Sequence, residues 1–191
     1  CTIENNEAYD YGGGFYAEYG CLYITNTIIR NNEAYEGGGA FFSESNVEIE
    51  NAVVTGNTAY RGAGIENSHY TETYVTNATF TNNTASHSGG GIYSYWGSWA
   101  DVMNTILWND RAGSSFNEFG GEGCHYVDYS IVKGGYSGTG NINSDPLFVS
   151  IADGDFHIQT TSPAVDSAYG TYAPETDFDG MERWDNPAKT N

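Results

Sequence analysis

Asn31-Asn32-Glu33-Ala34-Tyr35-Glu36-Gly37-Gly38-Gly39-Ala40-Phe41-Phe42 decides the fold, because it keeps returning. Its opening motif stands earlier as Asn5-Asn6-Glu7-Ala8-Tyr9. It stands later as Gly56-Asn57-Thr58-Ala59-Tyr60 and as Asn82-Asn83-Thr84-Ala85-Ser86. A glycine cluster follows each time: Gly12-Gly13-Gly14, Gly37-Gly38-Gly39, Gly62-Ala63-Gly64 and Gly89-Gly90-Gly91. The second Asn steps through positions 6, 32, 57, 83 and 109, intervals of 26, 25, 26 and 26. Another Asn steps through 26, 51, 77 and 104. Two registers held at once over about five units mark a structural repeat rather than low complexity.

Within one unit, Gly39-Ala40-Phe41-Phe42, Val47-Glu48-Ile49-Glu50 and Ala52-Val53-Val54-Thr55 read as three short strands. Turn residues separate them, and none has helical period. A 25-residue unit of this kind buries its inward side chains only by stacking on its neighbours, which predicts an all-β parallel solenoid with three short strands per coil. Asn tolerates the left-handed backbone of a sharp corner. Its amide can also bond the same amide one coil away. Asn26, Asn51, Asn77 and Asn104 therefore read as one ladder, and Asn6, Asn32, Asn57, Asn83 and Asn109 as another.

The Asn-Asn-x-Ala…Gly-Gly-Gly-(Ile/Phe)-Tyr repeat over residues 1–133 resembles that of right-handed parallel β-helix proteins of the pectate-lyase-like superfamily. It is similar above all to bacterial surface proteins with polymorphic outer-membrane-protein type repeats. Residues 134–191 differ. Asn141-Ile142-Asn143-Ser144-Asp145-Pro146-Leu147-Phe148, Gly154-Asp155-Phe156-His157-Ile158-Gln159, Ser162-Pro163-Ala164-Val165-Asp166 and Asp177-Phe178-Asp179-Gly180-Met181-Glu182-Arg183 follow in order. This run resembles the C-terminal segment of secreted bacterial β-helix proteins with a choice-of-anchor domain of the Q type. The resemblance implies an extracellular or cell-surface protein. The segment is expected to be an irregular cap on the last coil.

Thr2-Ile3-Glu4-Asn5-Asn6 aligns with Thr27-Ile28-Ile29-Arg30-Asn31-Asn32, so the chain opens in the third strand of a coil. An open parallel edge is expected either of a piece of a longer solenoid or of a subunit whose edge is a template for another chain. Head-to-tail stacking into a filament is the corresponding expectation. Of three cysteines, Cys1 and Cys21 are the candidates for a disulfide that ties down this end, Cys1 being alternatively a lipid-modified N-terminus. Cys124 is left over.

Six Lys and Arg against 25 Asp and Glu give a net charge of −19. That excludes a nucleic-acid binder, which needs a basic face. No apolar run is long enough for a membrane-spanning helix. Asp153-Gly154-Asp155 and Asp177-Phe178-Asp179-Gly180 place carboxylates two apart beside Gly, a calcium-loop pattern, so Asp153, Asp155, Asp177 and Asp179 are candidate ligands. No other cofactor is expected. A lyase for acidic polysaccharides needs clustered cations, which are missing here. A glycosidase needs two carboxylates facing across a groove. Glu7 and Glu33, and Glu18 and Glu44, share registers but fall in turns. Trp96 and Trp99 are candidates for stacking on sugar rings, and Tyr9, Tyr35 and Tyr60 recur at one register. His69, His87, His125 and His157 share no register and receive no role. The expected function is that of an extracellular structural protein, a filament or surface-matrix subunit. A polysaccharide-binding adhesin is the first alternative and a polysaccharide lyase or glycosidase the second.

Overall fold

The computed structural model describes residues 1–113 and 118–182; Arg183, the last residue of the C-terminal run, and Lys189 lie outside them. The chain winds into a parallel β-solenoid of about five turns. Each coil passes through three walls. The longest has nine strands, Thr2–Glu4, Cys21–Arg30, Asn46–Thr55, Glu72–Thr76, Thr79–Thr81, Trp99–Met103, Ile106–Trp108, Cys124–Asp128 and Ile131–Val132. A five-stranded wall runs from Phe15–Glu18 through Ala40–Ser43, Ile65–Ser68 and Ile92–Ser94 to Phe119–Gly120. A three-stranded wall holds Thr58–Arg61, Thr84–Ser88 and Arg111–Ala112.

The runs read as strands at 47–50 and 52–55 lie in one wall, bent at Asn51, rather than in two. The third wall passes through 58–61, where Ala59 and Arg61 are the half-buried positions and the alternation of apolar residues is therefore faint. The inward side chains of the long and five-stranded walls build one core, including Ile29, Phe42, Ile49, Ile65, Val75, Phe80, Ile92 and Leu107, all sealed from solvent.

Both corner types follow from the Asn periodicity. Asn26, Asn51, Asn77 and Asn104 have φ of +48°, +50°, +53° and +53°, the left-handed corner expected of them. The glycine triplets serve two ends. The first glycine of each is left-handed, as Gly12 and Gly37 are at φ +64° and +66°. The third admits no side chain. A Cβ on Gly39 would stand 2.4 Å from the Gly64 carbonyl oxygen, and one on Gly64 2.3 Å from that of Gly91.

The last coil is covered. Ile142 bridges to Ile131, Asn141 Oδ1 accepts from the Ser130 amide at 3.0 Å, and Tyr136 packs on Phe119 at 4.8 Å between ring centroids. The capping function falls on residues 136–142. The chain beyond turns back along the side of the solenoid. Its hairpin, Phe148–Ser150 with Asp155–Ile158, is antiparallel. Tyr169 and Tyr172 dock on the outer Asn corner: Asn104 Oδ1 accepts from the Tyr169 amide at 2.7 Å, and Asn77 Nδ2 donates to the Tyr172 carbonyl at 2.7 Å.

Candidate functional site: an aromatic and carboxylate wall

In-register stacking turns sequence positions into rows. On the outer face of the long wall, Tyr23, Glu48, Tyr74, Asp101 and Tyr126 stand opposite one another in consecutive coils. Aromatic and carboxylate side chains thus alternate at rungs of roughly 4.8 Å. The row on one side is Cys21, Asn46, Glu72, Trp99 and Cys124; on the other it is Thr25, Glu50, Thr76, Met103 and Asp128. Tyr23 is 72% exposed and Tyr126 59%. Trp99 meets Tyr74 at 5.1 Å and 85°, and Tyr126 at 6.3 Å and 75°. Such edge-to-face contacts consume at most one face of a ring and leave area for a ligand. A groove of about 460 Å³ opens here, lined by Trp99, Asp101, Glu122, Cys124 and Tyr126. Partial burial, and secondarily the charge of Asp128, raise the pKa of Asp101 above the ordinary carboxylate value.

A second groove, of about 580 Å³, runs along the three-stranded wall between Glu7, Glu33 and Thr58 on one side and Tyr9, Tyr35 and Tyr60 on the other. Glu7 and Glu33 are in register, as their spacing predicts, whereas Glu18 stands opposite Ser43 and not Glu44. Tyr35 stacks on Tyr60 at 5.0 Å and 1°, and Tyr60 on His87 at 4.9 Å and 2°. Tyr9 stays out of the stack, 93% exposed. Tyr60 spends both of its faces in this stack and Tyr35 one.

The inner Asn ladder is the most saturated polar feature. Asn6, Asn32 and Asn57 donate Nδ2 to Oδ1 of Asn32, Asn57 and Asn83 at 2.9, 3.1 and 2.9 Å. The Nδ2 of Asn57 also reaches the Ile29 carbonyl at 3.0 Å, and its Oδ1 also accepts the Asn32 amide at 3.0 Å. The expected fifth rung, Asn109, is not in the ladder. Asp110 takes the place, accepting Asn83 Nδ2 at 2.8 Å. A bulge between Ala85 and Ser88 adds one residue to this coil, so its pairings from Ser88 to Arg111 run 27 apart and Asp110, not Asn109, reaches the ladder. Asn109 instead turns the corner at φ +68° and accepts Lys133 Nζ at 2.5 Å. Asp110 is 1% exposed, and its carboxyl interacts with that of Glu118, itself 3% exposed. Burial and mutual repulsion push the Glu118 carboxyl far above the usual carboxylate range, and burial raises Asp110. The pair lies inside the coil, away from both grooves.

Residues 1–133 match the family described as "Right handed beta helix region". The chain belongs to that family. No curated protein and no solved structure matches it. The match covers the coils and ends where the cap begins, so it bears on the β-helix and not on the C-terminal segment.

The β-helix separates several residues that the sequence groups together. Trp96, 53% exposed, sits on its own left-handed corner, edge-on to His69 at 4.3 Å and beside Tyr95 at 5.3 Å. Only Trp99 faces the groove. The disulfide expected between Cys1 and Cys21 is not formed; both thiols are free and exposed. Cys1 stands opposite Thr27, its Sγ 3.6 Å from Thr27 Oγ1, one residue off the ladder register. Cys21 lies six residues back along that neighbouring strand, on the order of 15–20 Å away, beyond the reach of a disulfide.

The four Asp of the calcium pattern do not converge on one point. Asp153 accepts Ser150 Oγ at 2.6 Å, and Asp177 Oδ1 accepts the backbone amides of Asp179 and Met181 at 3.0 and 2.8 Å. Asp155 and Asp179 meet through His157, whose Nδ1 is 2.6 Å from Asp155 and Nε2 2.5 Å from Asp179. His157, given no role from sequence, is therefore the centre of a clamp on the C-terminal segment. Arg61 is another residue the sequence leaves unplaced. It pairs with Glu36 at 2.8 Å and the buried Glu66 at 3.0 Å beneath Tyr93 and Tyr95, and this closes the outside of the five-stranded wall. Among the described residues no helix is long and apolar enough to cross a membrane.

Proposed function

We propose that this protein is an extracellular, non-catalytic β-helix that binds an extended polysaccharide along its long wall. The row Tyr23–Glu48–Tyr74–Asp101–Tyr126 carries the reading. It offers open ring faces at a fixed period with hydrogen-bonding groups between them, which suits a polymer of polyhydroxylated rings rather than one small molecule. The pair of closely opposed carboxyls that could resemble a glycosidase dyad, Asp110 and Glu118, is sealed inside. End-to-end assembly into a filament has less to support it, because residues 136–142 cover the edge of the last coil at 127–132.

Affinity electrophoresis through gels cast with soluble polysaccharides tests the reading. Retardation is expected with at least one extended polymer, and Trp99→Ala with Tyr126→Ala is expected to abolish it while far-ultraviolet dichroism stays unchanged. Unretarded migration through every polymer would reject binding, and release of reducing ends would reject a non-catalytic role.

A further inference from the structure

We infer that the polymer held by the long wall is a cationic one, an extended 1,4-linked hexosamine chain lying along the solenoid axis with its ammonium groups on Glu48 and Asp101. The inference rests on the polysaccharide-binding reading and adds the chemical class.

Charge is the first argument. The three outward rows hold Glu48, Glu50, Glu72, Asp101 and Asp128, and no Lys, Arg or His. Glu122 adds a carboxylate at the rim of the groove. Outside these rows acidic side chains are partnered by the few cations present: Arg30 with Glu4, and Arg61 with Glu36 and Glu66. Among the described residues the carboxylates of the three rows pair with no cation. An anionic polymer is repelled by such a surface. A neutral one would use the rings and leave the carboxylates unneutralised. A cation at Asp101 relieves the repulsion from Asp128 that helps raise its pKa.

Chemistry is the second. An ammonium group beside Tyr74, Trp99 or Tyr126 gains from the ring faces as well as from the carboxylates. The wall supplies both within one rung of each other.

Period is the third. Like residues recur every second rung, Tyr23 to Tyr74 to Tyr126 and Glu48 to Asp101, a repeat of roughly 9.6 Å. This is close to the length of two sugars in an extended 1,4-linked chain, so alternate sugars meet the same kind of side chain. A basic peptide in β-conformation repeats its same-side residues at about 6.6 Å and drifts out of step within two rungs.

Calorimetry with four oligomers of equal length tests this: a glucosamine hexamer, its fully N-acetylated form, a galacturonate hexamer and hexalysine. The buffer is held at about pH 5.5, where hexosamine amines are charged. The glucosamine hexamer is expected to bind at least about tenfold more tightly than any other. Added salt is expected to weaken it. Glu48→Gln with Asp101→Asn, isosteric changes on an outer face, is expected to remove the preference. Equal or tighter binding of the acetylated hexamer would overturn the cationic class and leave polysaccharide binding standing. Hexalysine binding as tightly as glucosamine would reduce the wall to a charged patch and overturn the inference. Failure of all four, together with unretarded migration in the gels above, would sink both readings.

Discussion

Asn57 and Asp110 occupy equivalent rungs of the inner ladder but cannot do equivalent work. The Asn57 amide donates twice and accepts twice, to Asn83, Ile29 and Asn32, and is fully sealed. Asp110 accepts from Asn83 as an amide would, but its second oxygen stands where the other rungs carry an NH₂ donor. A proton shared with Glu118 would restore the missing donor, and burial, which raises the pKa of both carboxyls, favours a protonated pair. The charge of Lys133 works against the rise at Glu118, but its ammonium lies outside, on Asn109 and over the Trp108 ring. Above the ordinary carboxylate range the unfolded chain has released a proton that the folded one keeps, so folding stability declines as pH rises. The decline approaches about 1.4 kcal/mol per pH unit for each proton so held. Asp110→Asn completes the ladder and lets its NH₂ donate to Glu118. The variant is expected to melt above the wild type at neutral and alkaline pH, and to show a shallower dependence of melting temperature on pH between about 6 and 9. Parallel curves for the two proteins would disprove the shared proton. The Asn spacing makes the ladder visible in the sequence. The identity of its last rung is not visible, because one bulged residue at 86–87 separates Asn109 from the register it seems to continue.

At the scale of elements, the C-terminal segment has two polar, exposed fastenings among the described residues, one to the solenoid and one within itself. One is the outer Asn corner, where Asn77 and Asn104 use amide groups left over from their own turns to hold Tyr172 and Tyr169. The other is the clamp of Asp155, His157 and Asp179, which ties the hairpin to the turn at 177–181. Hydrogen bonds, first to Asp155 and then to Asp179, raise the His157 pKa, and the bonds to His157 lower that of Asp155. The signs set a window. The histidine's contribution is complete below its unfolded value and fades as pH rises through its raised folded one. The aspartate's fades as pH falls through its lowered one. Both groups are exposed, so solvent keeps the effect small and local. Limited proteolysis is therefore expected to cut the segment faster at about pH 9 than at about pH 6. His157→Gln is expected to be cut at the faster rate at both. Equal rates in the wild type would remove the clamp from the account. The paired Asp-x-Asp spacings that suggest calcium are local facts. His157, which joins Asp155 to a residue 24 positions away, has no local signature.

For the whole molecule, the cap decides what the solenoid can become. A parallel solenoid ends in unpaired strand edges, and residues 136–142 cover part of those of the last coil, with Ile142 and Asn141 on 127–131 and Tyr136 on Phe119. Tyr136→Ala removes the ring that rests on Phe119. Light scattering after size-exclusion chromatography is then expected to show oligomers that grow with concentration, with the wild type monodisperse. A monodisperse variant would mean that the remaining hydrogen bonds suffice. The coiling, the corners and the third-glycine contacts were legible in the chain because each is a periodic steric requirement. A residue type that alone fits a corner or a close approach must return once per coil. Even the wall row could be counted from its intervals of 25, 26, 27 and 25 between Tyr23 and Tyr126. Tertiary structure alone decided which rings keep an open face, since stacking in one wall and edge contact in another depend on side-chain packing that period does not encode. It alone also placed Glu118 on Asp110, parted Cys1 from Cys21 and brought His157 between two aspartates. Those meetings depend on where irregular loops and a single bulge carry the chain, and local residue preferences do not constrain that path.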